Sequence, residues 1–541
     1  MRIPNGNISG GKPWLAIELL AEENRSLPKL AWLCSLERET GTLRVFHGSA
    51  VEVRPHFIVE GVWDGPFAEG AFHRAGHFFG SGVRIEDDTV WLCPSHALVD
   101  RIVYCSRGSE VLASNSLALL LGYTGAELVP EYDYRKVANA ILRGIDLYDP
   151  EIPVRHSRIA VFYQAFHHPV VITRERIERV RCAATARREF SCFEAYVGTM
   201  RRDLARIRQN IESADRRVPL SAFTTISAGY DSTAVTALVR DFGIQGCFTS
   251  PRSAFRIPLW MNRRRTVDDG TPIAKHLGLR TITLRIRRRQ ITDDEIYFLA
   301  PGAPASELVF HSLAQHIERE CRAAVLFTGY HGDKVWDMHT SDPYLTDEIR
   351  RPDVMGMGLS EIRLKAGFVN VAVPFMHSRS VSELVRIAHS AEMQPWSVGD
   401  AEYDRPIPRR ILEEMGVPRE AFGQGKKGQG RQFKYPVHRG LRRLYFEHVR
   451  IQHGWRPAFL YFHAKANLIA YLGARALQHL LGKREKHTPV FFWPEVDSAY
   501  EMHVWALQTL ARDLGRVLTR GSEKQPSPGD AGGAQGGRSE A

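Results

Sequence analysis

Residues 224–239, TTISAGYDSTAVTALV, place small and hydroxyl-bearing residues between a β-branched run and a helix-like stretch. The turn consists of Ser227, Ala228, Gly229, Tyr230, Asp231 and Ser232. One interpretation is a tight strand-to-helix turn in which Asp231 or Ser232 caps the helix. The other is an anion site, because the start of a helix presents unpaired N–H groups that suit phosphate. This turn matches neither GxxxxGK[ST] nor GxGxxG, so it is not one of the common phosphate loops.

A second candidate turn lies about a hundred residues later, in LFTGYHGDKVWD, residues 326–337. It also follows an apolar run and offers Gly329, Gly332 and Asp333. Alone, Asp333 is better explained as a turn residue or a helix cap. A third stretch, residues 403–433, ends in the basic, glycine-containing GKKGQGRQ, which includes Lys426 and Lys427 and is by itself best explained as a solvated basic loop.

The arrangement of elements explains how these turns could meet. From about residue 190 a helical stretch (193–211) is followed by strands and helices in alternation, with strands over 224–226, 243–250, 281–286 and 323–328. Such alternation predicts βαβ units around a parallel sheet, whose ligands bind at the carboxyl ends of the strands. Before about residue 175, short β-rich pieces separated by turns predict antiparallel sheets.

Three pieces are therefore expected. Residues 1–180 form an antiparallel domain and residues 190–518 form a parallel α/β domain. Residues 519–541 are rich in Gly, Pro and Ser and are predicted to be a disordered tail.

The order Ser-x-Gly-x-Asp-Ser in residues 227–232 resembles the pyrophosphate-binding loop of the N-type ATP pyrophosphatases, an adenine nucleotide alpha hydrolase-like fold. With the second and third stretches it is similar to the asparagine synthetase family. The resemblance spans about residues 225–430. It implies ATP and Mg²⁺ as cofactors, with Asp231 and Asp333 binding the metal, and Ser227–Ser232, Gly329 and Gly332 holding ATP and pyrophosphate. It further implies that a lysine, Lys427 rather than Lys426, stabilises the developing charge.

The first domain resembles the N-terminal-nucleophile (Ntn) glutaminase domain of that family, over residues 84–120. Glutamine hydrolysis needs a Cys directly after the initiator Met, and Arg2 stands there. The first cysteine, Cys34, lies within an expected strand. The resemblance therefore implies a retained fold without glutaminase chemistry, as in β-lactam synthetases and lasso-peptide cyclases.

The second turn has Tyr330 where asparagine synthetases generally carry an acid and β-lactam synthetases carry Tyr. In the latter that Tyr works with a later Glu, and Glu361 falls near the matching position. The resemblance thus implies that Tyr330 and Glu361 manage the proton of the attacking amine. Lys334 stands where asparagine synthetases have an acid, which speaks against aspartate as the substrate.

The resemblance therefore implies an ATP-dependent, AMP-forming carbon–nitrogen ligase that joins a small-molecule or peptide carboxylate to an amine. Three alternatives stay open: an ammonia-using asparagine synthase, a tRNA-modifying ATP pyrophosphatase and a non-catalytic homologue. The net charge of +11 is spread over scattered Arg clusters, which does not indicate a nucleic-acid partner. No signal peptide or 18-residue apolar run is visible, so a cytoplasmic protein without a membrane partner is expected; a homodimer stays open.

Overall fold

The computed structural model describes residues 17–185, 187–252, 267–285, 288–302, 307–340, 345–346, 348–349, 356–399, 403–425, 433–463, 465–466, 469, 473 and 498–522. Its strands are β1 (Glu18–Glu23), β2 (Trp32–Glu37), β3 (Thr42–His47), β4 (Glu52–Arg54), β5 (Phe57–Trp63), β6 (Phe78–Glu86), β7 (Thr89–Cys93), β8 (Ile102–Arg107), β9 (Glu110–Ser114), β10 (Glu127–Leu128), β11 (Glu151–Arg155), β12 (Val161–Ala165), β13 (Val170–Ile172), β14 (Ile177–Arg179), β15 (Leu220–Thr225), β16 (Gly246–Thr249), β17 (Thr281–Thr283), β18 (Ala323–Thr328) and β19 (Phe368–Ala372).

The α-helices cover Leu117–Thr124, Arg135–Ala138, Phe193–Ile211, Asp231–Leu238, Thr271–His276, Glu295–Leu299, His311–Glu320, Gly332–Val335, Ser360–Ala366, Val381–Ala388, Pro406–Glu414, Arg439–His453 and Ser498–Ser522. None of the helices within the described ranges combines the length and the apolar content that a membrane span needs.

Two sheets make up the first part of the chain. Within the described residues, one has the order β1-β3-β2-β9-β8-β12-β11-β10 and the other β14-β13-β7-β6-β5-β4. Alternate apolar residues of both sheets, such as Leu36, Ile58 and Leu92, share one buried cluster, so the sheets stack face to face. Pairing is antiparallel as the sequence predicts, except that β1 runs parallel to β3 at an edge.

A separate sheet follows, with the order β17-β16-β15-β18-β19 and only parallel pairing. The helix Phe193–Ile211 is confirmed, and each predicted strand overlaps an observed one, β15, β16, β17 or β18, although the bounds differ. β19 was not predicted. Between β16 and β17 lies the helix Thr271–His276, and Gly278 follows it with a φ of 70°.

Two helices from the second part of the chain pack on the first. The helix Ser360–Ala366 sends Arg363 into the sandwich, where its guanidinium meets Glu60 and Asp100. The helix Ser498–Ser522 crosses the helix Leu117–Thr124 so closely that a Cβ on Gly122 would lie 2.3 Å from the carbonyl oxygen of Ala511. This last helix ends at Ser522, so residues 519–522 belong to it and not to a tail; residues 523–541 lie outside the described residues.

Candidate functional site

The first candidate turn follows the carboxyl end of β15 and leads into the helix Asp231–Leu238. Ser227 organises it: its Oγ accepts a hydrogen bond from the Gly229 N–H and lies 3.1 Å from the Oγ of Ser232. Its carbonyl oxygen accepts from the Thr233 hydroxyl at 2.7 Å. The two serine hydroxyls therefore face each other across the mouth of the turn.

Tyr230 occupies the N-cap position, directly before the first helical residue, Asp231. Its side chain does not cap the helix, because it makes no hydrogen bond to the first turn. Its buried ring instead packs against Tyr403 and Phe422, and its hydroxyl accepts a hydrogen bond from Arg409. The first-turn N–H groups therefore lack a side-chain cap, which is the condition that suits an anion at this end.

The second candidate turn lies directly beside the first. It follows β18, which pairs in parallel with β15 as far as Thr224 opposite Phe327. A Cβ on Gly329 would lie 2.3 Å from the backbone N of Ser232, and one on Gly332 would lie 2.8 Å from the Asp231 carboxyl group. Only glycine allows this approach, so the two turns form one continuous surface, as the sequence predicts.

Arg405, which sequence reasoning assigned no role, controls the charge of this surface. Its buried guanidinium donates to both carboxylate oxygens of Asp231, at 2.5 and 2.7 Å. Burial lowers the pKa of Arg405, but Asp231, then Tyr403 and Asp333, outweigh it and raise that pKa above its usual range. Arg405 therefore compensates the charge of Asp231, and Asp333 contributes to the same electrostatic environment.

The third stretch reaches the first turn through its glycines. The Gly423 N–H donates to the carbonyl oxygen of Ala228 at 3.0 Å, and a Cβ on Gly423 would overlap the Tyr230 ring. The chain thus touches the candidate anion site three residues before Lys426. Lys426 and Lys427 themselves lie outside the described residues.

Asp268 is a second residue that contacts the first turn and that no sequence pattern singled out. Its buried carboxylate accepts from the Ala228 N–H at 3.2 Å, which ties the turn to the segment before the helix Thr271–His276. This bond fixes the orientation of the peptide group that contains the Ala228 N–H.

The pairing of Tyr330 with Glu361 requires correction. The Glu361 carboxylate is buried against the first part of the chain, where it accepts from the Ser116 hydroxyl at 2.8 Å. Burial raises its pKa, against that bond and the nearby Arg101 and Arg363. The Tyr330 ring contacts Gly356 instead. The polar side chain beside the end of β18 is that of Asn370 on β19, whose Oδ1 accepts from Thr328 at 2.8 Å.

The first cysteine of the chain is a core residue. Cys34 lies in the middle of β2 between Val45 of β3 and Ala113 of β9. Burial raises the pKa of its thiol to about 12, so it stays protonated at neutral pH. A protonated, enclosed thiol cannot serve as the nucleophile.

Comparison of the chain with protein-family models and with curated proteins gives no match.

The side chains of the two glycine turns suit the phosphates of ATP better than they suit Mg²⁺. The facing serine hydroxyls and the uncapped first turn offer phosphate several donors, and the glycines leave room for it. Asp231 and Asp333 offer the carboxylate oxygens that Mg²⁺ prefers. However, Arg405 already holds both oxygens of Asp231, so Asp231 can bind a metal only when this arginine turns away.

Proposed function

We propose that this protein is an ATP- and Mg²⁺-dependent ligase of the asparagine synthetase type, which forms an amide and releases AMP and pyrophosphate. The single observation that carries the proposal is the contact of the Gly329–Gly332 turn with Asp231 and Ser232 at the carboxyl ends of adjacent parallel strands. Ligands of open α/β sheets bind at this edge. Two independent glycine turns that close on one acidic, hydroxyl-bearing surface match the chemistry of a metal-bound phosphate.

Each group has a stated part in this scheme. ATP, when bound, supplies the adenylyl group that activates the carboxylate. The Ser227 and Ser232 hydroxyls and the first-turn N–H groups hold the pyrophosphate. Arg405, which holds Asp231, would have to turn toward the phosphate oxygens, and Asp231 would then be free to join Asp333 in holding the metal. Such positioned charges stabilise a leaving group more strongly as its charge grows.

The amine donor follows from the first part of the chain. The thiol of Cys34 is buried and protonated, so it is not suited to hydrolyse glutamine. The amine is therefore either free ammonia or, better supported, an amine carried by the substrate or by a peptide. Purified protein incubated with glutamine should release no glutamate above a no-protein control. Protein-dependent glutamate release would contradict this part of the proposal.

One observation favours a second candidate, a non-catalytic homologue. The ion pair between Arg405 and Asp231 places a fixed cation where the proposed metal needs an oxygen ligand. If that pair replaces the metal permanently, the protein binds nucleotide without Mg²⁺ or does not bind it.

Calorimetric titration with ATP, in the presence and absence of Mg²⁺, separates the two candidates. The ligase predicts Mg²⁺-dependent binding that Asp333→Asn and Asp231→Asn each weaken by at least tenfold. Asp241→Asn, at an exposed acid, is the matched control and should bind as the wild type does. An ATP affinity that does not depend on Mg²⁺ and is the same in both aspartate variants as in the wild type would favour the non-catalytic homologue.

The products of turnover test the reaction class. Screening carboxylates with the wild-type protein should yield AMP and pyrophosphate, and loss of one preorganised charge should slow turnover on the order of 10²–10³-fold. ADP and phosphate as products would rule out the proposed class.

A further inference from the structure

A second cluster of ligand-type side chains is buried away from the glycine turns. It consists of His77, directly before β6, Asp203 in the helix Phe193–Ile211, and His377 in the 3₁₀ segment Val373–Ser380. All three are buried, at 5%, 3% and 3% relative exposure. Their ligand atoms all lie within 4.8 Å of one another. Three elements that are distant in sequence thus converge on one point.

The spacing of these atoms is close to that of a tetrahedral metal site. Nε2 of His77 lies 3.2 Å from Oδ2 of Asp203, and Nε2 of His377 lies 3.8 Å from the same oxygen. Ligand atoms of a tetrahedral zinc site, each about 2.0–2.1 Å from the metal, are separated by roughly 3.4 Å. Both separations from Oδ2 of Asp203 are close to that value, and the third separation is no more than 4.8 Å.

His77 and Asp203 are hydrogen-bonded within the described part of the protein, but the ring nitrogen Nε2 of His377 is not. Asp203 accepts from His77 and also from Nη1 of Arg188 at 2.6 Å. Within the part of the chain that the structure describes, the buried Nε2 of His377 has no hydrogen-bond partner. Leaving a buried polar atom unsatisfied costs on the order of 1–3 kcal/mol. A metal ion gives that nitrogen a ligand role, and Arg188 then supports the carboxylate from outside, as outer groups do at metal sites.

A cavity beside the cluster has room for a water molecule as the fourth ligand. The cluster borders a cavity of about 20 Å³ that His77 and His377 share with His96, His167 and Arg188. That volume accommodates about one water molecule. Two imidazoles, one carboxylate and one water form a donor set that suits Zn²⁺.

We infer that His77, Asp203 and His377 bind a zinc ion, with a cavity water as the fourth ligand. The ion joins the first sheet-forming part of the chain to the helix before the parallel sheet and to the segment after β19. This inference does not rest on the proposed ligase activity, because the observations that carry it come from His77, Asp203 and His377 and not from the glycine turns.

Metal analysis of the full-length protein tests the inference. After dialysis against EDTA, incubation with excess Zn²⁺ and gel filtration, the wild type should retain about one zinc per chain. His77→Gln and His377→Gln should each reduce retained zinc by at least fivefold. His56→Gln, at an exposed histidine, is the matched control and should retain the wild-type amount. Retention by both cluster variants, or less than about a tenth of a zinc in the wild type, would overturn the inference.

A second readout needs no variant that must fold. Cobalt added to the EDTA-treated wild type should give the visible absorption of a tetrahedral Co²⁺ site with nitrogen and oxygen ligands, and Zn²⁺ should abolish it. Thermal unfolding of the wild type should shift upward with Zn²⁺. A cobalt spectrum typical of an octahedral hydrated ion, together with no thermal shift, would contradict the site.

Discussion

Two arginines of this protein form ion pairs with acids, but in different surroundings. Arg363 lies between Glu60 and Asp100, and the three side chains are no more than 2% exposed. Arg405 pairs with Asp231 at the carboxyl edge of the parallel sheet, where Asp231 keeps 24% of its side chain exposed. The first group is sealed between two packed parts of the chain, and the second opens toward solvent.

The difference shows which ion pair can be exchanged for a ligand. A buried acid that loses its partner has no water to replace it, so the Arg363 group holds the structure together but cannot take part in binding. At the sheet edge, water, a metal ion or a phosphate can replace a lost contact. The same residue types therefore stabilise the fold at one place and are suited to bind a ligand at the other.

Arg363→Met should show the largest effect on stability. It leaves Glu60 and Asp100 without a cation in the interior, which commonly costs about 3–5 kcal/mol in the free energy of unfolding. Urea unfolding followed by circular dichroism measures it. Arg25→Met, at an arginine whose side chain is 89% exposed, is the control and should change little. Equal stability of both variants would show that the buried group is not held by its charges.

Asp100→Asn should change how stability depends on pH. Burial raises the pKa of Asp100 to about 6, against the opposing effect of Arg363 and with a further rise from Glu60. Its Oδ2 accepts no hydrogen bond within the described residues, so a proton can reside there. Because this pKa lies above the unfolded value of about 3.9, the folded chain keeps a proton that the unfolded chain releases.

That contribution is complete below about pH 4 and is lost as the pH rises through 6. The free energy of unfolding of Asp100→Asn, relative to the wild type, should therefore increase between pH 4 and pH 7, on the order of 1–3 kcal/mol. Unfolding curves at both pH values measure the difference. A constant difference would show that Asp100 is already ionised at pH 4.

Gly332→Ala should separate the two glycine turns at the sheet edge. The added Cβ would meet the Asp231 carboxyl group at 2.8 Å, and overpacking of this kind costs about 1–3 kcal/mol. The affinity of the folded variant for ATP should also fall, and this fall should be larger than the loss of folded protein alone would cause. Gly198→Ala, in the helix Phe193–Ile211 with no close neighbour, is the matched control and should be neutral or slightly stabilising. ATP binding equal to that of the control would contradict the shared surface.

Arg405→Gln should have the smallest effect on unfolding, about 1 kcal/mol, because Asp231 and Asp333 can be hydrated at the edge. The same thermal or urea measurements used for Arg363→Met compare the two directly. A loss as large as that of Arg363→Met would show that Arg405 is structural and would weaken its assigned role toward phosphate.

The sequence predicts the parts of the fold that depend on local patterns. The helix Phe193–Ile211 has apolar residues at helical spacing, and β15, β16 and β18 are short apolar runs that end at glycine or polar turns. β19 was not predicted; Gly367 alone separates it from the helix Ser360–Ala366. A boundary of one residue carries too little signal.

The site was predictable only as far as topology decides it. Parallel neighbouring strands bring Asp231 and Asp333 to one edge, whatever the side chains do. The partner of Asp231 was not predictable, because Arg405 lies 174 residues away and no local pattern joins them. Glu361 was misplaced for a related reason: its spacing from Asp333 says nothing about the face of the helix from which its side chain projects.

The helix Ser498–Ser522 has a consequence for how the protein is made. It packs on the helix Leu117–Thr124, where Gly122 and Gly515 allow the backbones to touch. Leu117, Leu120 and Leu121 are buried in the apolar cluster that includes Trp505 and Leu510. During synthesis, the first part of the chain leaves the ribosome long before this helix exists. This helix cannot cover those leucines until residues 498–522 have been synthesised, and a chain truncated before it would present them more openly to chaperones or to other chains.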